Sequence, residues 1–201
     1  MLVIGLAGGI GTGKSEVARF LQELGAVVID ADRVGHEVYI PHTEAWHEII
    51  RTFGRDVLKA NGEVDRRKLA ALVFGDSQAL AQLEAITHPA ITERVRERIE
   101  ELKRQGAWVV VLEAIKLTRT AAAELVDEVW VTYSSEERVV ERLARRGNLK
   151  VEEVKQRIEA QLPFAEMKKA AQVVVENQGS LQELRDRVQS LWESRVKGRT
   201  R

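Results

Sequence analysis

The sequence predicts an α/β fold of three layers, with helices on both faces of a five-stranded parallel sheet. Five short apolar runs, 2–7, 27–32, 108–113, 128–133 and 172–175, are separated by segments of helical periodicity, and strands that alternate with helices close into parallel pairs. Directly behind the first run stands Gly8-Gly9-Ile10-Gly11-Thr12-Gly13-Lys14-Ser15, the spelling of a phosphate-binding loop in its strand-then-helix context.

A glycine-rich turn points several backbone N–H groups at one anion with no side chain in the way. The helix behind it, read as 14–24, adds its positive end; Lys14 reaches the outer phosphates and Ser15 offers a hydroxyl to Mg²⁺. This predicts a bound nucleoside triphosphate. The second run reads as a buried strand ending in Asp30-Ala31-Asp32. Ligands of open parallel sheets sit beyond the carboxyl ends of the strands, which places Asp32 beside the loop. Residues 33–105 read as helices interrupted at Pro41, Gly54, Asn61-Gly62, Gly75 and His88-Pro89, a helical insertion or lid. Three further strands follow, then a final helix from Ser180 to about Arg195 and a short basic tail predicted to fray. The expected organisation is one domain over 1–201, with a core at about 1–32 and 106–201, the insertion at 33–105 and a short lid at about 142–161.

Lys plus Arg equals Asp plus Glu at 31 each, and cysteine is absent. The balance argues against nucleic acid or a membrane surface as the main partner and for a small molecule. Without cysteine there is no disulfide, thiolate metal site or cysteine nucleophile, which suits a cytoplasmic protein. The apolar start has no basic leader and runs into the loop glycines, so it reads as a strand, not a signal peptide. Trp46, Trp108, Trp130 and Trp192 are scattered and read as packing residues.

A kinase acting on a hydroxyl needs a phosphate cradle, a metal, a group to orient or deprotonate the hydroxyl, and cations around the transferring phosphoryl. Asp32 is the candidate base, the competing reading being a helix cap. Glu113 ends the run Val109-Val110-Val111-Leu112, either near the metal's water shell or in a structural salt bridge. Arg138, Arg142, Arg145 and Arg146 recur at helical spacing; Arg142 and Arg146 read as lid cations, Arg138 and Arg145 as partners of Glu136, Glu137 and Glu141. Arg157 and Gln161 stand one turn apart on the next helix, with Gly147-Asn148 as a hinge. His36 lies one turn past Asp32 and His88 precedes Pro89; each is read either as a site residue or as a packing or capping histidine.

The ordered set of the loop, Asp30-Ala31-Asp32 with His36, Phe53-Gly54, Asp65-Arg66, Leu83-Glu84, His88-Pro89-Ala90-Ile91, Arg142-Leu143 with Arg146, Arg157 with Gln161, and Asn177-Gln178-Gly179 resembles the dephospho-coenzyme A kinase family over nearly the whole chain. The resemblance implies transfer of the γ-phosphate of ATP to the ribose 3′-hydroxyl of dephospho-coenzyme A, the last step of coenzyme A synthesis, with Mg²⁺. It implies Asp32 on the hydroxyl proton, Lys14 on phosphate, Ser15 on the metal, and Arg146 in the lid. It places the nucleotide on Gly9, Gly11, Thr12, Gly13, Lys14, Ser15 and Glu16, with Arg142 and Asn177 near the base. It further implies a helical substrate-binding domain at about 33–105, with Asp32, His36, Asp65, His88 and Glu113 expected to meet the acceptor. A monomer or weak homo-oligomer is expected. Two positions depart from the family pattern: Glu16 replaces the common threonine, and Ile115-Lys116-Leu117-Thr118-Arg119 replaces a proline-leucine-leucine stretch with its aromatic and glutamate. The competing readings are another small-molecule kinase with this loop and a regulatory nucleotide switch. Asp32-Arg33-Val34-Gly35 matches a switch-loop pattern, but no Asn-Lys-x-Asp guanine-reading element occurs.

Overall fold

The structure is a computed structural model that describes residues 1–115, 117, 120–147 and 151–199, the side chains of 146, 147 and 151 excepted. The chain divides into two compact units, Met1–Asp30 with Glu101–Arg201, and Ala31–Glu100.

The first unit holds the parallel sheet: β1 (Leu2–Gly8), β2 (Val27–Asp30), β3 (Val109–Glu113), β4 (Glu128–Tyr133) and β5 (Val173–Glu176), ordered β2-β3-β1-β4-β5. β1 lies in the centre, in register with β3 from Leu2↔Val109 to Leu6↔Glu113 and with β4 from Ile4↔Glu128 to Gly8↔Thr132. Central parallel strands are covered on both faces, which is why β1 and β3 are near-continuous apolar runs. Alternate residues Ile4, Leu6, Val109, Val111 and Trp130 meet Val17, Phe20 and Leu21 of α1 (Lys14–Glu23) and Leu184 and Val188 of α9 (Leu181–Leu191) in one core. α6 (Glu136–Gly147), α7 (Val151–Glu159) and α8 (Phe164–Lys169) connect β4 to β5, and α8 packs against β1 and β4. No described helix is long and apolar enough to cross a membrane.

The second unit contains α2 (Ala31–Glu37), α3 (Glu44–Phe53), α4 (Arg66–Val73) and most of α5 (Ser77–Arg104). Its own small core is Ile49, Val57, Val64 and Leu69, flanked by Tyr39, Trp46 and Leu83. Side-chain caps start two of its helices: Thr43 Oγ1 accepts from the Trp46 N–H at 3.2 Å, and Asp65 Oδ1 accepts from the Arg67 and Lys68 N–H groups at 3.0 and 3.3 Å.

Three sequence expectations are corrected. β2 stops at Asp30, and Ala31 already begins α2, so Asp32 lies in the first helical turn and not at a strand end. β2 is also an edge strand and not a buried one: Val27 is 38% exposed, because sheet order leaves it a partner on one side only. His88-Pro89 does not break the chain; α5 runs through it. A proline in a helix frees the carbonyl four residues earlier, here that of Ala85, and Ala85 and Pro89 are both exposed, on a face of the helix open to solvent.

Candidate active site

The loop between β1 and α1 is built by its glycines. Gly11 and Gly13 have φ of 72° and 95°, the left-handed region that favours glycine. Tight packing adds a second constraint, since a Cβ at Gly13 would overlap the Asn177 amide and one at Gly11 would come within 2.8 Å of Val139. Gly13 caps α1 without any side-chain bond, so no cap occupies the N–H groups of the first turn, which is the arrangement that receives anions.

Lys14 and Ser15 converge on one carboxylate. The Lys14 ammonium donates to Glu113 Oε1 at 2.7 Å and the Ser15 hydroxyl donates to the same oxygen at 3.2 Å. Both charged side chains are 13% exposed. Glu113 reaches them because β3 lies beside β1 and ends opposite Leu6, at the carboxyl edge where β1 gives way to the loop. A cation, a hydroxyl and a carboxylate therefore share the rim of the phosphate cradle. Glu16, also in the first turn, pairs with Arg19 at 2.9 Å, so its charge is matched along the helix.

A second network holds the loop from the β4 and β5 side. Arg142 on α6 donates to Ser134 Oγ at 2.8 Å and to the Asn177 carbonyl and Oδ1, both at 2.9 Å. The Asn177 amide donates to the Thr12 carbonyl at 3.0 Å. Thr12 Oγ1 lies 2.7 Å from the Gly9 carbonyl and 2.6 Å from Thr132 Oγ1. If Thr12 spends its proton on the carbonyl, Thr132 is the donor between the two hydroxyls. Gln161, just past α7, accepts from the Ile10 N–H at 2.8 Å. Gly9, Thr12, Ser134, Gln161 and Phe164 line a cavity of about 140 Å³ beside the loop. Phe164 there stacks on Tyr133 at 4.2 Å. At the start of α6, backbone N–H bonding and the Ser135 hydroxyl hold the Glu137 carboxyl below its ordinary value.

The structure thus brings together Gly9, Gly11, Thr12, Gly13, Lys14, Ser15, Glu113, Arg142, Asn177 and Gln161. Thr132 and Ser134 are functional-site residues that sequence reasoning missed. Their signal was their place at the carboxyl end of a buried run. Asp32, His36, Asp65 and His88 belong to the second unit, where Asp32 and His36 are exposed on α2, Asp65 caps α4 and His88 is half-buried within α5. Arg138 and Arg145 pair with Glu141 at 3.2 and 2.8 Å, and Arg157 is exposed. The Arg146 side chain, Asn148, and Lys116, Thr118 and Arg119 of the departing stretch lie outside the described residues.

A sequence profile of the family described as dephospho-CoA kinase matches residues 2–183. The chain belongs to the dephospho-CoA kinase family. It is 44% identical over 195 residues to the dephospho-CoA kinase of Geobacter sulfurreducens, covering 97% of this chain and 99% of that one. Among solved structures it is similar to a Thermus thermophilus protein (TM-score 0.78, 34% identity, covering 97% and 98% of the two chains). It is also similar to the dephospho-CoA kinase of Campylobacter jejuni (TM-score 0.73, 25% identity, 98% of each chain). In dephospho-CoA kinase terms, the loop, Glu113 and the Arg142–Asn177 network all fall inside the span that the family profile covers.

Proposed function

We propose that this chain transfers the γ-phosphate of ATP to the ribose 3′-hydroxyl of dephospho-coenzyme A, giving coenzyme A and ADP. The observation that carries this reading is the convergence of Lys14 and Ser15 on Glu113 at the rim of the loop, in a chain of this family. The loop N–H groups and the uncapped start of α1 cradle the phosphates, and Lys14 turns its ammonium from Glu113 to the outer phosphate oxygens. Asn177 holds the Thr12 carbonyl and Arg142 holds Asn177, and together they keep the cradle in shape at the nucleotide's base side.

Mg²⁺ fits the donor set, since Ser15 Oγ and Glu113 Oε1 are hard oxygens 3.2 Å apart. Ser15 would hold the ion directly and Glu113 through water, and the ion would offset charge on the transferring phosphoryl. Asp32 takes the proton of the acceptor hydroxyl. The support is its place in the first turn of α2, two residues past the end of β2, where it is exposed. Arg146 supplies lid charge. The protein works in the cytoplasm as a monomer or weak homo-oligomer, which a cysteine-free chain suits.

The test is an ADP-release assay with ATP and Mg²⁺, comparing dephospho-coenzyme A, adenosine, common nucleotides and no acceptor, with the phosphate located by NMR. Release that depends on dephospho-coenzyme A with phosphate at the 3′ position is expected. ATP binding with no stimulation by that acceptor would transfer the reading to another small-molecule acceptor.

A further inference from the structure

The peptide joining Gly9 to Ile10 is a soft point of the phosphate loop, because glycine lets its plane turn at little steric cost. Two groups hold that plane. On one side, the Gly9 carbonyl accepts from the Thr12 hydroxyl at 2.7 Å and from the Thr12 N–H at 3.4 Å. On the other, the Ile10 N–H of the same peptide donates to Gln161 Oε1 at 2.8 Å, across 151 positions of sequence. A backbone N–H can only donate, so the Gln161 amide is oriented with its oxygen to the loop. The approach is close. A Cβ added at Gly9 would come 3.0 Å from that oxygen, and Gly9 lies outside the left-handed region, so the neighbour that keeps this position bare is Gln161.

Gln161 is itself held from both directions along the chain. Its N–H donates to the Ile158 carbonyl at 3.1 Å in a last turn past α7. Three residues later Phe164 stacks on Tyr133 and opens α8, which packs on β1 and β4. Packing between this segment and the loop is incomplete, since Gly9 and Ile10 line a cavity of about 140 Å³ together with Ile158, Leu162 and Phe164. The Gln161 bond bridges space that apolar contact leaves open.

We infer that Gln161 is a positioning residue for the phosphate donor: it locks the peptide between Gly9 and Ile10, so that the loop presents its N–H groups to the outer phosphates in one fixed arrangement. The inference rests on the proposed reaction only for ATP as the donor. Without the amide oxygen the plane is held by Thr12 alone, and a turn of the peptide exchanges a donor for an acceptor at a cradle that must receive an anion. Gln161 acts through the loop, so use of ATP depends on it and use of the acceptor does not.

The test compares the full chain with Gln161→Met, which keeps side-chain length without a strong acceptor, and Gln161→Glu, which keeps an acceptor oxygen at the same reach. Each is titrated calorimetrically with ATP and Mg²⁺, assayed with ATP and dephospho-coenzyme A, and followed at the Ile10 amide by ¹⁵N NMR. Gln161→Met should weaken ATP binding about tenfold, as for a donor left unpaired, with the loss in the KM for ATP more than in kcat and the acceptor KM within about twofold of wild type. Its Ile10 amide proton should move upfield. In Gln161→Glu that proton should stay downfield, and at high salt, where the added charge is screened, its ATP affinity should exceed that of Gln161→Met. Unchanged ATP affinity in Gln161→Met, equal losses for both substrates, or no advantage of Gln161→Glu at high salt would overturn the inference. The titration needs no acceptor, so a chain whose ATP affinity depends on Gln161 but which does not phosphorylate dephospho-coenzyme A would sink the proposed reaction and keep the role of Gln161.

Discussion

Lys14 meets the Glu113 carboxylate at 2.7 Å, and the proposed reaction needs it to meet a phosphate instead. Replacing it with alanine removes the only loop side chain able to bring positive charge to the outer phosphates. We expect Lys14→Ala to lower kcat/KM for ATP by about 10²- to 10³-fold, as for loss of a donor that stabilises developing charge, measured by steady-state kinetics. Asp32→Asn should keep ATP binding and lower kcat by about 10²- to 10⁴-fold, the ordinary worth of a general base; near-normal turnover would remove Asp32 from that role. Gly13→Ala tests packing and backbone together, since φ of 95° and the overlap with Asn177 both oppose a Cβ. Its expected phenotype is lost ATP binding in a protein that still shows the wild-type circular dichroism spectrum.

At the scale of elements, α9 shows how a local signal anchors a long-range one. Ser180 and Glu183 form a reciprocal capping box, Glu183 N–H to Ser180 Oγ at 3.2 Å and Ser180 N–H to Glu183 Oε2 at 2.6 Å, and the helix so started buries Leu184 and Val188 under the sheet. The Ser180 N–H, then its hydroxyl, hold the Glu183 carboxyl below its ordinary 4.5. A carboxyl lowered on folding stabilises the native state above its unfolded value and loses that contribution as pH falls through the folded one. The difference in Tm between wild type and Glu183→Gln should therefore be present at neutral pH and close as the pH drops below 4.5, read by thermal melts across that range. α5 teaches the opposite lesson: the local rule for proline predicts a break at Pro89, and burial of Thr87, Thr92, Val95 and Ile99 along one helix overrides it.

Across the molecule, the amino end of β4 is tied to the last described residues. Glu128 is 3% exposed, accepts from the Trp130 indole N–H at 2.9 Å, and pairs with Arg195 at 3.3 Å and Arg199 at 2.5 Å. Removing both arginines strands a buried carboxylate, so Arg195→Ala/Arg199→Ala should destabilise the first unit by about 3 kcal/mol or more in urea unfolding. The reverse change, Glu128→Gln, leaves two arginines that are half-exposed and hydrated, and should cost less. Trp130 and Trp192, both fully buried, provide the fluorescence signal.

What was legible in the sequence was whatever is encoded within a few residues. The loop spelling specifies its own turn, Ser180 marks the start of its own helix, and the near-continuous apolar runs of β1 and β3 announce a covered parallel sheet, because each depends on neighbours along the chain. The tertiary structure alone decided that β2 is the edge and β1 the centre, that Glu113 is the carboxylate meeting Lys14 across 99 positions, and that Thr132 meets Thr12 across 120. Strand order is set by how whole layers pack, a global sum of burial to which no single run of residues holds the key, and the site inherits its distant members from that order.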